Sequence, residues 1–169
     1  AEQRGENGPA DPADAGDEAA AGADAAAGEA EPGEPAPDGF DYERAIRPDE
    51  EPPPATPGAI LKVTIDREHW LGFGYDGDAS VVHDGSHILT PVKLDRGTNV
   101  AIYGPAPSLV RAGFVWPDSR AQLPQKAYLV HQPRGRGHVV AFAEDPNVRA
   151  FADGLNLLLL NAVLLTAGR

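Results

Sequence analysis

The sequence predicts an α/β fold: a small mixed β-sheet with a C-terminal helix packed on it, preceded by a disordered acidic tail. Three observations predict it. Residues 126–143 alternate as strand, glycine-rich turn and strand. Asp145-Pro146 then opens a long apolar run that ends near Gly168, the punctuation of a capped helix. And the composition changes abruptly near Gly58, so the sheet and helix belong to the last two thirds of the chain.

The charge shows that break. The formal net charge is -12, yet Ala1–Gly58 holds 16 acids and 3 bases while Ala59–Arg169 holds 10 acids and 11 bases. A nearly neutral body argues against nucleic acid as a partner. Residues 1–39 are almost entirely Ala, Gly, Pro, Glu and Asp. With no large apolar side chain to bury, they cannot offset an ordering entropy of about 1–2 kcal/mol per residue, and read as a disordered linker. Residues 40–58 read as an extended arm. Phe40, Tyr42 and Ile46 are its first anchoring side chains, and Pro52-Pro53-Pro54 stiffens it. Residues 59–169 form the expected α/β accessory domain.

Ile60–Ile65 is the first expected strand; its apolar residues break strict alternation, which suggests cover on both faces. Asp66 is positioned to cap a short helical turn leading to Trp70. Ala79–Val82 and His87–Leu89 read as a hairpin about Asp84-Gly85, followed by an extended Pro91–Leu94. Thr98–Tyr103 is a further strand. Ser108–Gly113 reads as a helical turn, and Pro117–Leu123 as a short helix stopped before Pro124. Lys126–Gln132 and His138–Ala143 flank a turn at Pro133–Gly137, and the continuous Val139-Val140-Ala141-Phe142 suggests a strand covered on both faces. The terminal helix is apolar nearly all round from Leu155 to Leu165, with a polar stripe of Arg149, Asp153 and Asn156 on its first half. One sheet face covers only one side of such a helix, so a second layer is expected from outside these elements. The run is too short to span a bilayer, which needs about 20 apolar residues.

No local motif carries chemistry. His83-Asp84-Gly85-Ser86-His87 clusters two histidines and an acid, but on a turn, with no third ligand in reach; it reads as a surface hairpin rather than a metal site. Asp66-Arg67-Glu68-His69-Trp70 lacks His-x-x-Glu and His-Glu-x-x-His spacing. Arg134-Gly135-Arg136-Gly137 reads as a soluble turn rather than an anion cradle. Gly72–Gly77 misses dinucleotide-loop spacing, and Gly85-Ser86-His87 lacks the flanks of a nucleophile elbow. The chain has no cysteine and no methionine. The sequence therefore assigns no catalytic, no cofactor-binding and no metal-binding residue.

Several segments together resemble a known family. Thr56–Val63 leads into Asp66–Gly74; Pro91–Leu94 and Asn99–Tyr103 follow; Gly135–Phe142, Asp145–Arg149 and Gly154–Ala162 close the chain. These resemble the C-terminal, degenerate class I glutamine amidotransferase-like region of bacterial zinc carboxypeptidase (carboxypeptidase A-like) proteins, over about Phe40–Gly168. The family's zinc motif and an amidotransferase cysteine are both missing, so no catalytic residue carries over. The resemblance implies a non-catalytic accessory domain of a secreted metallocarboxypeptidase-like protein, extracellular or periplasmic. The zinc would belong to the parent's peptidase domain, and the partners would be the parent's remaining domains or the peptidase chain. Absent methionine and an Ala1 start fit the same expectation of a fragment. Two other readings stand beside it: a stand-alone peptide- or glycan-binding module using Trp70, Phe73, Tyr75 and Trp116, and a hydrolase using His83 or His87.

Overall fold

A computed structural model describes residues 42–49, 51–148 and 152–166. The acidic linker, Phe40, Arg149 and the expected helix end at Gly168 lie outside the described residues. In chain order the elements are α1 (Tyr42–Ala45), β1 (Thr56–Ile65), β2 (Asp78–Gly85), β3 (Thr98–Tyr103), β4 (Val110–Gly113), α2 (Pro117–Gln122), β5 (Ala127–Arg134), β6 (Gly137–Phe142) and α3 (Asp153–Thr166), with 3-10 turns at Trp70–Gly72 and Ala106–Ser108. The strands form one curled sheet in the order β2-β1-β3-β5-β6, with β4 pairing on β1 beside β3. The expected sheet with its C-terminal helix is present. Every strand ladder among the described residues is antiparallel.

β1 is the spine. Ala59, Leu61, Val63 and Ile65 are buried, while Ile60, Lys62 and Thr64 are not. This is clean alternation, in contrast to the two-faced cover expected from Ile60 and Ile65; they point to opposite faces because the side-chain period is two. The doubly covered strand is β5 instead. Ala127 through His131 are all buried, so the side chains on both of its faces are covered. β6 sits at the sheet edge, where Val139 is exposed and Val140, Ala141 and Phe142 are only partly buried rather than covered on both faces.

Other expectations change with the register. β2 continues through His83, Asp84 and Gly85 along β1, with a register shift between Thr56 and Ala59, so there is no hairpin at Asp84-Gly85, and Leu89 bridges to Ala127 instead. The helical turn expected over Ser108–Gly113 is the end of a 3-10 turn followed by β4, which the free outer side of β1 recruits. The β5–β6 connection is shorter than Pro133–Gly137. Arg134 pairs with Gly137, and Gly135 takes φ 59° at the first central position, where glycine is needed. Pro91–Leu94 joins no ladder; Val92 exchanges two hydrogen bonds with the Asn99 side chain at 2.8 and 2.9 Å.

α3 begins at Asp153, later than the start expected at Pro146. The Asp145 carboxylate does accept a backbone amide, from Asn147 at 2.8 Å, but this closes a local turn. α3 packs against the Trp70–Gly72 turn and β2, and sends Leu155 and Leu158 into the core formed by Leu61, Val63, Val81, Tyr103 and Leu129. Two polar side chains fix it there. Asn161 Nδ2 donates to the carbonyls of Leu71 and Phe73, both at 2.9 Å. The Tyr75 hydroxyl donates to Gly154 O at 2.6 Å and accepts from Leu158 N at 3.1 Å, so it sits across an i→i−4 position of the helix. Burial raises the Tyr75 pKa, and the Leu158 hydrogen bond opposes that shift.

Candidate functional site

Three of the five histidines stand in a line. His131 on β5 lies opposite Val140 of β6, and His138 sits two residues before Val140 on the same face, so the two are diagonal neighbours. Their rings stack with His131 Nε2 at 2.9 Å from His138 Nδ1. The loop after β1 brings in His69, whose Nε2 lies 3.0 Å from His131 Nδ1. At the far end the Leu71 amide donates to His69 Nδ1 at 3.2 Å. That amide sets the direction of the whole line. His69 carries its proton on Nε2 and donates to His131, which in turn donates to His138. Trp70 presents its ring edge-on to His131 at 5.3 Å. Each acceptor nitrogen in the line is already used, so adding a proton must break a hydrogen bond. Burial, and then the His138 charge, lower the His131 pKa accordingly.

No local motif announces this line: His69 stands within Asp66–Trp70, and a five-residue turn over Pro133–Gly137 would hide the pairing of His131 with His138. A two-residue turn at Gly135-Arg136 is the signal that locates them. Asp66 does not cap the following 3-10 turn. It accepts from Glu68 N at 2.9 Å, while His69 supplies the cap.

A second polar group lies inside the sheet. His83 faces Ala59 across the ladder, on the buried side of β2, and is fully buried. It is therefore not on a surface hairpin, and it does not pair with His87, which is exposed. Its Nδ1 lies 2.8 Å from Glu144 Oε1, close enough for electrostatic contact, yet neither ring nitrogen makes a hydrogen bond. Tyr103 packs edge-on against His83 at 6.1 Å and against Tyr128 at 6.0 Å. Both tyrosine hydroxyls are buried with no hydrogen-bond partner. Burial raises both phenol pKa values strongly, and the Glu144 charge adds to it. Both phenols therefore stay neutral through the ordinary pH range. Among the described residues, no three His, Cys, Asp or Glu side chains are arranged to hold a metal ion.

The remaining candidates disperse. Arg134, Gly135 and Arg136 are exposed at the β5–β6 turn. Of the expected helix stripe, Asp153 is exposed and Asn156 half-buried. The four aromatics proposed for ligand binding take separate partners: Trp70 the histidine line, Tyr75 the helix, Phe73 solvent, and Trp116 an edge-on contact with Phe114 at 4.7 Å. Among the exposed apolar side chains, a cluster lies on α3. Leu160, Val163 and Leu164 are 50%, 65% and 66% exposed on the last turns, opposite Leu158 and Asn161, and Phe73 is 69% exposed on the loop that Asn161 holds. No described helix is long and apolar enough to cross a membrane. No family model, curated protein or solved structure matches the chain.

Proposed function

We propose that this chain is a non-catalytic accessory module that completes a larger protein through the outer face of α3. The single observation that carries the reading is the exposure of Leu160, Val163 and Leu164 on a helix whose inner face is already fixed by Leu155, Leu158 and Asn161. Burying such side chains stabilises by about 1.5–3 kcal/mol each, so a neighbouring body that covers them gains several kcal/mol. The parent class, a zinc metallocarboxypeptidase-like protein with its zinc in a separate peptidase domain, rests on the family resemblance alone.

Two measurements test this. The isolated chain should bind a hydrophobic dye or self-associate. Leu160→Gln, Val163→Thr and Leu164→Gln together should abolish that with little loss of stability. A wild-type chain that stays monomeric and binds no dye would sink the docking role. The parent class is tested by the reading frame upstream of Ala1, where an in-frame peptidase domain carrying His-x-x-Glu is expected.

A further inference from the structure

His83 and Glu144 meet although they belong to opposite ends of the sheet. His83 is on β2, the first strand in the order, and Glu144 follows β6, the last, so the curl of the sheet brings them together. His83 Nδ1 lies 2.8 Å from Glu144 Oε1. The Tyr103 ring stands edge-on to both His83 and Tyr128, which makes the four side chains one contiguous group. Among the described residues, six buried side-chain nitrogen and oxygen atoms have no hydrogen-bond partner. Five of them belong to this group: both ring nitrogens of His83, the two phenol oxygens and Glu144 Oε1. His83, Tyr103 and Tyr128 are fully buried. Buried polar atoms are almost always paired, so such a cluster is the signature of a bound species.

Distance and charge narrow the species. An ion pair accounts for the 2.8 Å contact but leaves both phenols without a partner. Adjacent donors about 2.0–2.2 Å from one ion lie about 2.8–3.1 Å apart on an octahedron and about 3.3–3.6 Å apart on a tetrahedron, so the contact fits an octahedral ion. Three oxygens and one nitrogen are a hard donor set. Two of these donors are phenols, so the group is not built from His, Cys, Asp and Glu alone. Glu144 and two phenolates carry three negative charges, and His83 ligates as a neutral ring. Charge is costly in a buried site unless it is balanced, so the matching ion is trivalent.

We propose that His83, Tyr103, Tyr128 and Glu144 form a binding site for a ferric ion. Two iron–oxygen bonds form as the two phenol O–H bonds break, the two protons leave to solvent, and the iron stays ferric. The remaining positions on the ion take solvent oxygen. Glu144, whose side chain is 12% exposed, is the donor through which the ion enters. This inference does not depend on the α3 docking face.

The test adds ferric nitrilotriacetate to the full chain. It follows the visible phenolate-to-iron charge-transfer band and the iron retained after gel filtration. One iron per chain is expected, with the band and with a rise in the thermal midpoint. Tyr103→Phe with Tyr128→Phe removes only the two unpartnered hydroxyls, so this variant should fold and show no band. If it does not fold, each single variant carries the same titration and should show a weaker, shifted band. Glu144→Gln should weaken retention by more than the roughly 10–100-fold that loss of an outer-shell partner costs. Three outcomes would overturn the proposal. The first is no retained iron, which would leave ordered water as the partner of these atoms. The second is a band that survives in the double variant, which would mark an adventitious ion only. The third is zinc or magnesium held as tightly as iron, which would contradict the charge balance.

Discussion

His69 Nε2 and His131 Nδ1 meet at 3.0 Å although 62 residues separate them, and the amide of Leu71 decides which of the two carries the proton. This makes the line of imidazoles a structural group, and burial, then His138, hold the His131 pKa below its ordinary value.

A pH dependence follows from its sign. The folded pKa of His131 lies below its unfolded value of about 6.5. Below that value the unfolded chain binds more protons than the folded one, so stability is complete above it and falls as pH drops towards the folded pKa. The urea midpoint should be lower at pH 5 than at pH 7.5, and His131→Gln should flatten the difference. A profile that rises towards acid would contradict the assignment.

Removing a hydroxyl from the interior should cost nothing. Tyr103 and Tyr128 each bury an O–H without a partner. Replacing either by Phe removes an unsatisfied group and keeps the ring packing, so the change should be neutral or stabilise by up to about 1–3 kcal/mol. By contrast, Leu129→Ala in the same core should cost about 2–5 kcal/mol. Denaturant titration of the three variants decides it; a loss above 1 kcal/mol in Tyr128→Phe would reveal a partner for that hydroxyl.

Asn161→Ala should cost about 2–3 kcal/mol, because it strands two carbonyls, those of Leu71 and Phe73, that now share one amide nitrogen. Hydrogen exchange should show the loss first in α3 and the Trp70–Gly72 turn. Equal loosening of β5 would mean the amide is not the local clamp.

Gly74 holds φ +88°, and a Cβ there would stand 2.6 Å from Leu157 Cδ2. Gly74→Ala should lose about 1–3 kcal/mol through backbone strain and this clash. Trimming Leu157 to Ala should relieve only the clash. The two changes should therefore couple in a double-mutant cycle, and simple additivity would place the whole cost in the backbone.

Much of the fold was legible in the residues. Thr98–Tyr103 is a strand as expected, closed by Gly104-Pro105, and Pro117 opens a short helix as a first-position proline does. The apolar length from Leu155 to Leu165 is helical. The misreadings share one cause. Asp84-Gly85 signals a turn in isolation, but seven residues of β2 pair along β1, and that ladder outweighs a local preference. Asp145-Pro146 signals a helix start, yet it closes a turn, and the first residue of α3 is Asp153.

The candidate site was far less legible. His83 looks like a surface residue in sequence, and only its register opposite Ala59 turns it inwards to Glu144. His131 and His138 carry no motif; a two-residue turn sets them diagonal, and a distant loop supplies His69.

By itself, then, the chain's order of residues determined most but not all of the strand and helix positions, that the body beyond Gly58 is close to neutral, and that its last helix is too oily for one sheet face to cover. Those are properties of local periodicity and composition. Tertiary structure alone decided which polar side chains meet, which tyrosines lose their partners, and which face of α3 is left to solvent. Side chains switch faces with every single-residue change of register, and the partners lie as much as 90 residues apart, so no local pattern encodes them.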